Sequence, residues 1–556
     1  MLSNRVGHPT LIRLDKQASQ SVLSFTSPPG FREPFSIWSA CRTPTSSWPS
    51  TKTPMRPFFV SPPMASSVML QPSCPLSRRN WEHACTAPLW APNASYKNRE
   101  ESFMTVQEPT QQQLNQERWR DVPLEFEAIV VGAGPAGLAA AYTLAKGGVK
   151  TLLIERGDFP GSKNVMGGIL YSYPTHQIIP DFWKEAPLER PIVEQRAWLL
   201  AEESVVSIGF KDPGFYEEPY NNFSVFRSRF DRWMANKVVE AGATLITETV
   251  VTDFLFDERA DRRRVAGVVT NREQGEIRAQ VVLICEGANS ILTQRLGLQE
   301  DLSPGDLAVG VKEVIALPKG AIEDRFNVEK GQGATIELIG ESTQGMFGMG
   351  WIYTNKDTLS IGVGVMINQL SRSGMNPNTV LEKMKQHPAV RPLLAGGETK
   401  EYLAKIIPEG GYHQVPKLYA HGVLICGDAA MLVNGVHREG SNLAMTSGKL
   451  AAETVIEAKK KGDFSSVTLK AYHDRLQDSF ILKDLKKYEN ASALLQSNPH
   501  FFTLYPKLAR YSARELFTVD NVPKKDKQKK IWHEVTSRRG IWNIAGDMYR
   551  LWRTLG

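Results

Sequence analysis

Gly132, Gly134 and Gly137 stand in "EAIVVGAGPAGLAAAYTLAKGGVKTLLIER" at GxGxxG spacing, between an apolar run and an alanine-rich one. Glycine at the first position permits a tight turn. At the second it lets backbone approach a pyrophosphate, and at the third it brings helix against strand. Pro135 and Ala136 open that helix, whose first N–H groups have no intrahelical partner and are free for phosphate oxygens. A second apolar run ends at Glu155 and Arg156. Glu155 lies 18 residues beyond Gly137, close to the ~20 at which a carboxylate grips ribose hydroxyls. The chemistry is dinucleotide binding, and this fingerprint alone does not separate FAD from NAD.

A further carboxylate poses a sharper question. "VLICGDAAMLVNG" reads as a buried strand running directly into Gly427 and Asp428, and "AQVVLICEGANS" ends the same way at Glu286 and Gly287, with Asn289 and Ser290 as helix starts. Three strands thus end in a glycine or an acid at one edge, the edge where open α/β sheets bind ligands. Arg227 and Arg229 precede an amphipathic helix in "NFSVFRSRFDRWMANKVVEAGATLI", which closes on a strand after its "GA" turn. "HREGSNLAMTSGKLAAETVIEAKKK" begins a long helix, capped by Ser441 or Asn442, whose N–H groups at Gly440 to Asn442 could face an anion. No GxSxG elbow occurs, and histidines such as His413 and His437 do not cluster at metal spacing, so neither a hydrolase nor a metal site is expected.

The elements that must position these residues follow from composition and pattern. With 556 residues, 42% hydrophobic and 22% charged, the chain can bury large cores in two or more domains. Residues 1–103 hold 14 of the 34 prolines, are serine-rich and show no sustained period, which predicts disorder. They suit a transit peptide, a dispensable tail or an upstream start codon; the last two are preferred, because Met104 is a plausible natural beginning. They also carry 11 basic and 5 acidic residues, leaving the rest nearly neutral at 55 against 54 and arguing against nucleic acid as a partner. Only Cys285 and Cys426 lie in the folded body, and no CxxC occurs, so no iron–sulfur cluster is expected within the chain. The longest apolar run, from residue 128, is broken by glycines and proline and is no membrane span.

With these motifs in order, the sequence resembles the FAD-binding superfamily of aromatic hydroxylases, geranylgeranyl reductases and electron-transfer-flavoprotein:quinone oxidoreductases (ETF-QO). Over roughly 125–490 it is most similar to ETF-QO and the FixC proteins of nitrogen-fixing bacteria. The resemblance rests on "VGVKEVIALP", "HPAVRPLLAGGE" and above all "IPEGGYHQVPKLYAHGVLICGDAAMLVNGVHREGSNLAMTSGKLAAE". It implies FAD as cofactor, with Glu155 on the adenosine ribose, Asp428 on a ribityl hydroxyl, Arg227 or Arg229 near the phosphates or ribityl chain, and Gly287 beneath the cofactor. Val251, Arg156 and Glu286 join that contact set. Lys163, Asn164, Gly167 and Gly168 in "GDFPGSKNVMGGILYS" would pass over the isoalloxazine, and Gly440, Ser441 and Asn442 would face its reduced, anionic edge.

The same resemblance implies electrons taken from a two-subunit electron-transfer flavoprotein and passed to membrane quinone, in an assembly supplying low-potential electrons for nitrogen fixation. Fused ETF-QO proteins end in a ferredoxin-like domain; lacking cysteines there, this chain would rely on a separate small ferredoxin-like iron–sulfur subunit. For quinone, Met346, Phe347, Gly348, Met349, Gly350 and Trp351 could line a flat apolar slot or simply fill a sheet core. The tail carries "KKDKQKK" at 524–530 and Trp532, Trp542 and Trp552, which suit a bilayer surface, a docking face for an acidic ferredoxin, or a solvated charge run. The expected location is cytoplasmic, peripherally attached to the membrane. Two other functions stay open: an NAD(P)H-dependent flavin reductase or hydroxylase acting on an isoprenoid or aromatic substrate, and a membrane-tethering subunit with a vestigial FAD site.

The expected fold is α/β: a Rossmann-like FAD-binding domain of the glutathione-reductase type in three parts (104–190, 224–300, 405–470). Segments 191–223 and 301–404 would form an inserted antiparallel-sheet domain for quinone or substrate, with 471–556 a helical region for docking.

Overall fold

The computed structural model describes residues 125–163, 167–257 and 263–556. Asn164 and the N-terminal extension lie outside the described residues.

The first sheet is built around five strands: β1 (Glu125–Val131), β2 (Thr151–Ile154), β3 (Thr244–Ile246), β4 (Glu276–Ile284) and β5 (Val423–Ile425). They pair in parallel in the order β5-β4-β1-β2-β3. Parallel strands covered on both faces should read as continuous apolar runs. That is what "TLLI" of β2 and "VLI" of β5 do, with every residue buried. Three helices cover the site-bearing part of this sheet: α1 (Pro135–Lys146), α2 (Arg227–Glu240) and α3 (Ser441–Lys461). Helix α1 starts on Pro135 and is alanine-rich. The small side chains let it sit close to both the sheet and α3, where a methyl added at Gly448 would overlap the Ala136 carbonyl oxygen.

Among the described residues the second sheet has nine strands, including Leu188–Ala201, Leu307–Ala316, Gly333–Gly340, Gly348–Thr354, Thr358–Met366 and Glu398–Pro408. It is antiparallel apart from one pair, Gly333–Gly340 running parallel to Leu188–Ala201. A parallel pair needs a long crossover, and the chain between these strands supplies it by passing through the first sheet. One face packs on its own core, including Val311, Ile336, Ile352, Ile361 and Met384. The other faces the loop after β5 and the start of α2, where Lys405 and Lys312 lie within electrostatic reach of Asp428 and Arg227. From Ser466 onward the chain is helical, ending in Lys524–Arg538 and Ile541–Leu555. Among the described residues no helix is long and apolar enough to cross a membrane.

Candidate functional site

The glycine-rich turn does what its spacing requires. Gly132 has φ +100° and packs so tightly that a Cβ would meet the Cys285 carbonyl, while one at Gly137 would meet the Gly132 carbonyl. Gly134, the α1 N-cap, differs: its φ of −85° suits any residue, and a Cβ there would find nothing within 4 Å. Its bareness keeps space open beside a helix N-terminus that no side chain caps. Glu155, 9% exposed, turns back to this turn and accepts the Ala133 N–H at 2.9 Å and the Gly157 N–H at 2.7 Å. Val251 lies half-buried just past Thr249, whose N–H is bonded to the Glu155 carbonyl.

Gly427 joins this region to α3. At φ +65° it is wedged between two helices, with a Cβ there 2.9 Å from the Ala136 Cβ and 3.4 Å from that of Ala444. Its N–H donates to the Ser447 hydroxyl at 3.0 Å. The first turns of α1 and α3 therefore open side by side, with Asp428 between them. The sequence offers Ser441 or Asn442 as the α3 cap; the structure puts it on Gly440, with no side-chain cap. The buried Asn442 side chain bonds Glu439 instead and leaves its Oδ1 unpartnered among the described residues. Ser290 likewise stands at an N-cap without capping, in a left-handed conformation. Glu286 takes over that role, its carboxylate accepting the Leu292 and Thr293 N–H groups at 3.0 and 2.9 Å.

The two arginines part company. Both lie inside the first turn of α2 rather than before it. Arg227 is buried and clasps Asp231 through two bonds of 2.6 and 2.5 Å. Arg229, its side chain 68% exposed, turns away to Glu189 at 3.5 Å. The loop containing Gly161 and the exposed Lys163 runs against the start of α2, and the strand from Gly167 pairs with Asn222–Phe226, setting Gly167 opposite Phe226.

Burial pushes the Asp428 carboxyl above its ordinary range, with Lys405 and Arg227 pulling the other way. Lys405 comes from the second sheet. It is exposed, yet desolvation lowers it, with Asp428 and Asp231 opposing and Arg227 and Arg156 assisting. Burial also lowers Lys312, on the same sheet face, to about 7, with Glu401 opposing and Arg227 assisting. The cleft is closed on one side by an ion pair between Arg438 and Glu337 and by Tyr171, whose hydroxyl bonds the His437 carbonyl at 3.4 Å. Neither lysine, nor Arg438 and Glu337, was among the residues singled out from sequence. One charge in a strand, as at Lys312, announces its face only once the partners' register is known.

The six residues expected to line one slot are divided. Met346 and Gly350 belong to the second sheet's own core, where a Cβ on Gly350 would overlap the Met384 sulfur. Phe347 packs on Phe502 with ring centroids 5.5 Å apart. Gly348 lies against the Gly364 backbone. Met349 and Trp351 occupy the opposite face, toward the cleft, where the Trp351 ring stacks on Tyr353 at 6.4 Å and covers Gly362. Alternation along a strand enforces the split, since neighbours in sequence cannot share a face.

These features fit FAD. Bare surface at Gly134 and Gly287, two uncapped helix N-termini and an orphaned Asn442 Oδ1 supply space, phosphate-binding N–H groups and a polar partner along one cleft. Comparison with known proteins agrees. The FAD-dependent oxidoreductase family model matches residues 127–292, and the ETF-QO/FixC family C-terminal domain model matches 491–556. Protein FixC of Bradyrhizobium diazoefficiens is 46% identical over 430 residues, 77% of this chain and 98% of that protein. Protein FixC of Azotobacter vinelandii is 44% identical over 431 residues, 77% of this chain and 99% of that protein. Among solved structures, a geranylgeranyl bacteriochlorophyll reductase-like protein from Thermoplasma acidophilum superposes with a TM-score of 0.59 at 19% identity, covering 77% of this chain and 98% of its own. The myxobacterial halogenase CndH gives 0.52 at 20% identity, covering 75% and 91%. These two likenesses describe the fold. The chain therefore belongs to the ETF-QO/FixC family and is an FAD-dependent oxidoreductase.

Proposed function

We propose that this chain takes electrons from a two-subunit electron-transfer flavoprotein and delivers them to membrane quinone. The assembly's low-potential branch would serve nitrogen fixation through a separate small ferredoxin-like iron–sulfur subunit. The observation that carries the reading is the Gly427 wedge, which sets Asp428 between two uncapped helix N-termini in a relative of proteins named FixC. No cysteine follows Cys426, which supports an iron–sulfur centre held by another chain. Exposed Trp532, Trp542 and Trp552 support peripheral contact with the cytoplasmic side of a membrane.

Bound FAD supplies the redox chemistry, and the protein supplies orientation and electrostatics. Gly132, Gly134, Pro135, Ala136 and Gly137 would hold the pyrophosphate at the α1 N-terminus. Glu155 retains lone pairs for ribose hydroxyls beyond the two backbone N–H groups it accepts. Asp428 would accept a hydrogen bond from a ribityl hydroxyl, and Arg227, held by Asp231, keeps a cation near that carboxylate. The N–H groups of Gly440, Ser441 and Asn442 favour negative charge at the far end. Met349 and Trp351 offer quinone an apolar wall on the cleft side.

Purification under native conditions tests this directly. The expected result is a yellow complex containing two electron-transfer-flavoprotein chains and a small ferredoxin, with flavin reoxidised by a quinone analogue. A colourless complex, or a lone chain whose flavin NADH reduces at turnover rate, would refute it.

A further inference from the structure

Register in the second sheet sets Glu337, Trp351, Gly362, Lys312 and Leu403 side by side across five strands. The next row runs Met349, Gly364, Gly310 and Lys405. Residues directly opposite on paired strands share a face. This face is the one turned to the cleft, because the alternate residues Val311, Ile352 and Ile361 fill the sheet's own core. Lys312 thus stands on the wall opposite Asp428 and the two helix N-termini, in a stretch where Gly310, Gly362 and Gly364 carry no side chains.

Lys312 is 2% exposed and makes no hydrogen bond or ion pair among the described residues. The charges felt at this wall come from several elements. Glu401, Lys405 and Glu337 lie on the sheet; Arg227, Asp231, Asp428, Arg156, Arg438 and Glu439 come from the loops and α2. With four cations and five anions among them, the wall carries one negative charge in excess when Lys312 is neutral and is balanced when it is protonated. A buried amine without a partner disfavours its charged form and weakens the fold when charged. Such a group is best matched by negative charge that comes and goes.

We propose that Lys312 is a positioning residue for charge: it takes up one proton from solvent at Nζ when an electron pair enters the cleft, and releases it when the pair leaves. This rests on FAD occupying the cleft as described above. The amine becomes an ammonium and forms no bond to the cofactor; the electrons come from the donor of the oxidoreductase reaction and go to its acceptor. The α3 N-terminus favours the reduced cofactor as an anion that itself takes one proton, and Lys312 supplies the second uptake. Negative charge raises a neighbouring amine's proton affinity. The extra uptake is therefore present from about pH 7, where Lys312 is neutral in the oxidised protein, up to the higher value it takes beside the reduced cofactor, and disappears in acid, where it is already charged.

The test is an anaerobic potential titration of the FAD-loaded protein at several pH values, read as protons per electron pair. The unsubstituted protein should take up about two above pH ~7.5 and approach about one below pH ~6. Lys312→Met should take up about one throughout, and Lys312→Arg, permanently charged, also about one but at a higher potential. A loss of packing alone would lower FAD retention without changing the count. FAD-loaded Lys312→Met with the unsubstituted protein's pH profile overturns the proposal. Should that variant not fold, an indicator dye in weakly buffered solution counts protons on photoreduction of the unsubstituted protein, and the same count at pH ~6 and pH ~8.5 overturns it equally. A chain that cannot be loaded with FAD sinks both this and the cofactor-site reading. A loaded chain with an unchanging count sinks this one alone.

Discussion

Gly134→Ala separates binding from folding in a single methyl group. The residue has φ −85° and ψ −173°, which alanine adopts without strain, and the new Cβ touches no protein atom within 4 Å. Replacing glycine at an N-cap by alanine costs about 0.5–1 kcal/mol. Restricting the unfolded chain returns about 0.4–1 kcal/mol. The two nearly cancel, so FAD-stripped protein should unfold in urea within about 0.5 kcal/mol of the parent. The methyl instead fills the space beside the uncapped α1 N-terminus. Overfilling a well-packed site costs about 1–3 kcal/mol, and at ~1.4 kcal/mol per decade the FAD dissociation constant should rise roughly 5- to 150-fold. Fluorescence titration of the stripped protein measures it. Gly448→Ala is the opposite control: its methyl meets the Ala136 carbonyl, so the fold should weaken despite the ~1 kcal/mol alanine gains in helix propensity. If Gly134→Ala bound FAD as tightly as the parent, no pyrophosphate would lie at that helix end and the site would have to be redrawn.

Arg227→Ala removes the bidentate partner of fully buried Asp231 and should cost about 3–5 kcal/mol in urea unfolding. Arg229→Ala, on an exposed side chain, should cost under about 1 kcal/mol. Gly362→Ala should push the Trp351 ring from its seat, slowing quinone reduction in steady-state assays while FAD content stays near parental. Asp547, buried in the last helix, is opposed by desolvation, but bonds from Arg539, Tyr505 and Arg550 more than offset it and hold the carboxyl far below its usual range. A depressed carboxyl contributes stability above its unfolded value, near ~3.9, and loses it as pH falls toward the folded value. Hydrogen exchange in 541–555 should accordingly accelerate on acidification below pH ~4, and Asp547→Asn should remove that dependence.

What could be read from the chain was local. The Gly132 turn, Glu155 and the strand-ending Asp428 announce themselves through spacing within one or two elements, and the structure brings them together. Positions that depend on which way one side chain turns did not. Nothing near Arg227 and Arg229 tells which swings inward to Asp231. The Glu286 carboxylate also caps the helix that follows it, which its place at a strand end does not announce. "FGMGW" reads as one apolar surface, although a strand deals its residues alternately to a core and to a cleft. Lys312 and Glu313 are adjacent charges in one strand, and only pairing with Gly362 and Leu403 shows which one meets the cleft.

The wedge at Gly427 also constrains how the protein is made. The Gly132 turn leaves the ribosome early, but the glycine that locks its helix to α3 is encoded almost 300 residues later, and β5 must then slot in parallel beside β4. Contacts so distant along the chain form slowly. The nascent protein must therefore hold an unfinished, apolar sheet edge until translation has passed Lys461, and a chain terminated before that residue should emerge colourless and in need of a chaperone.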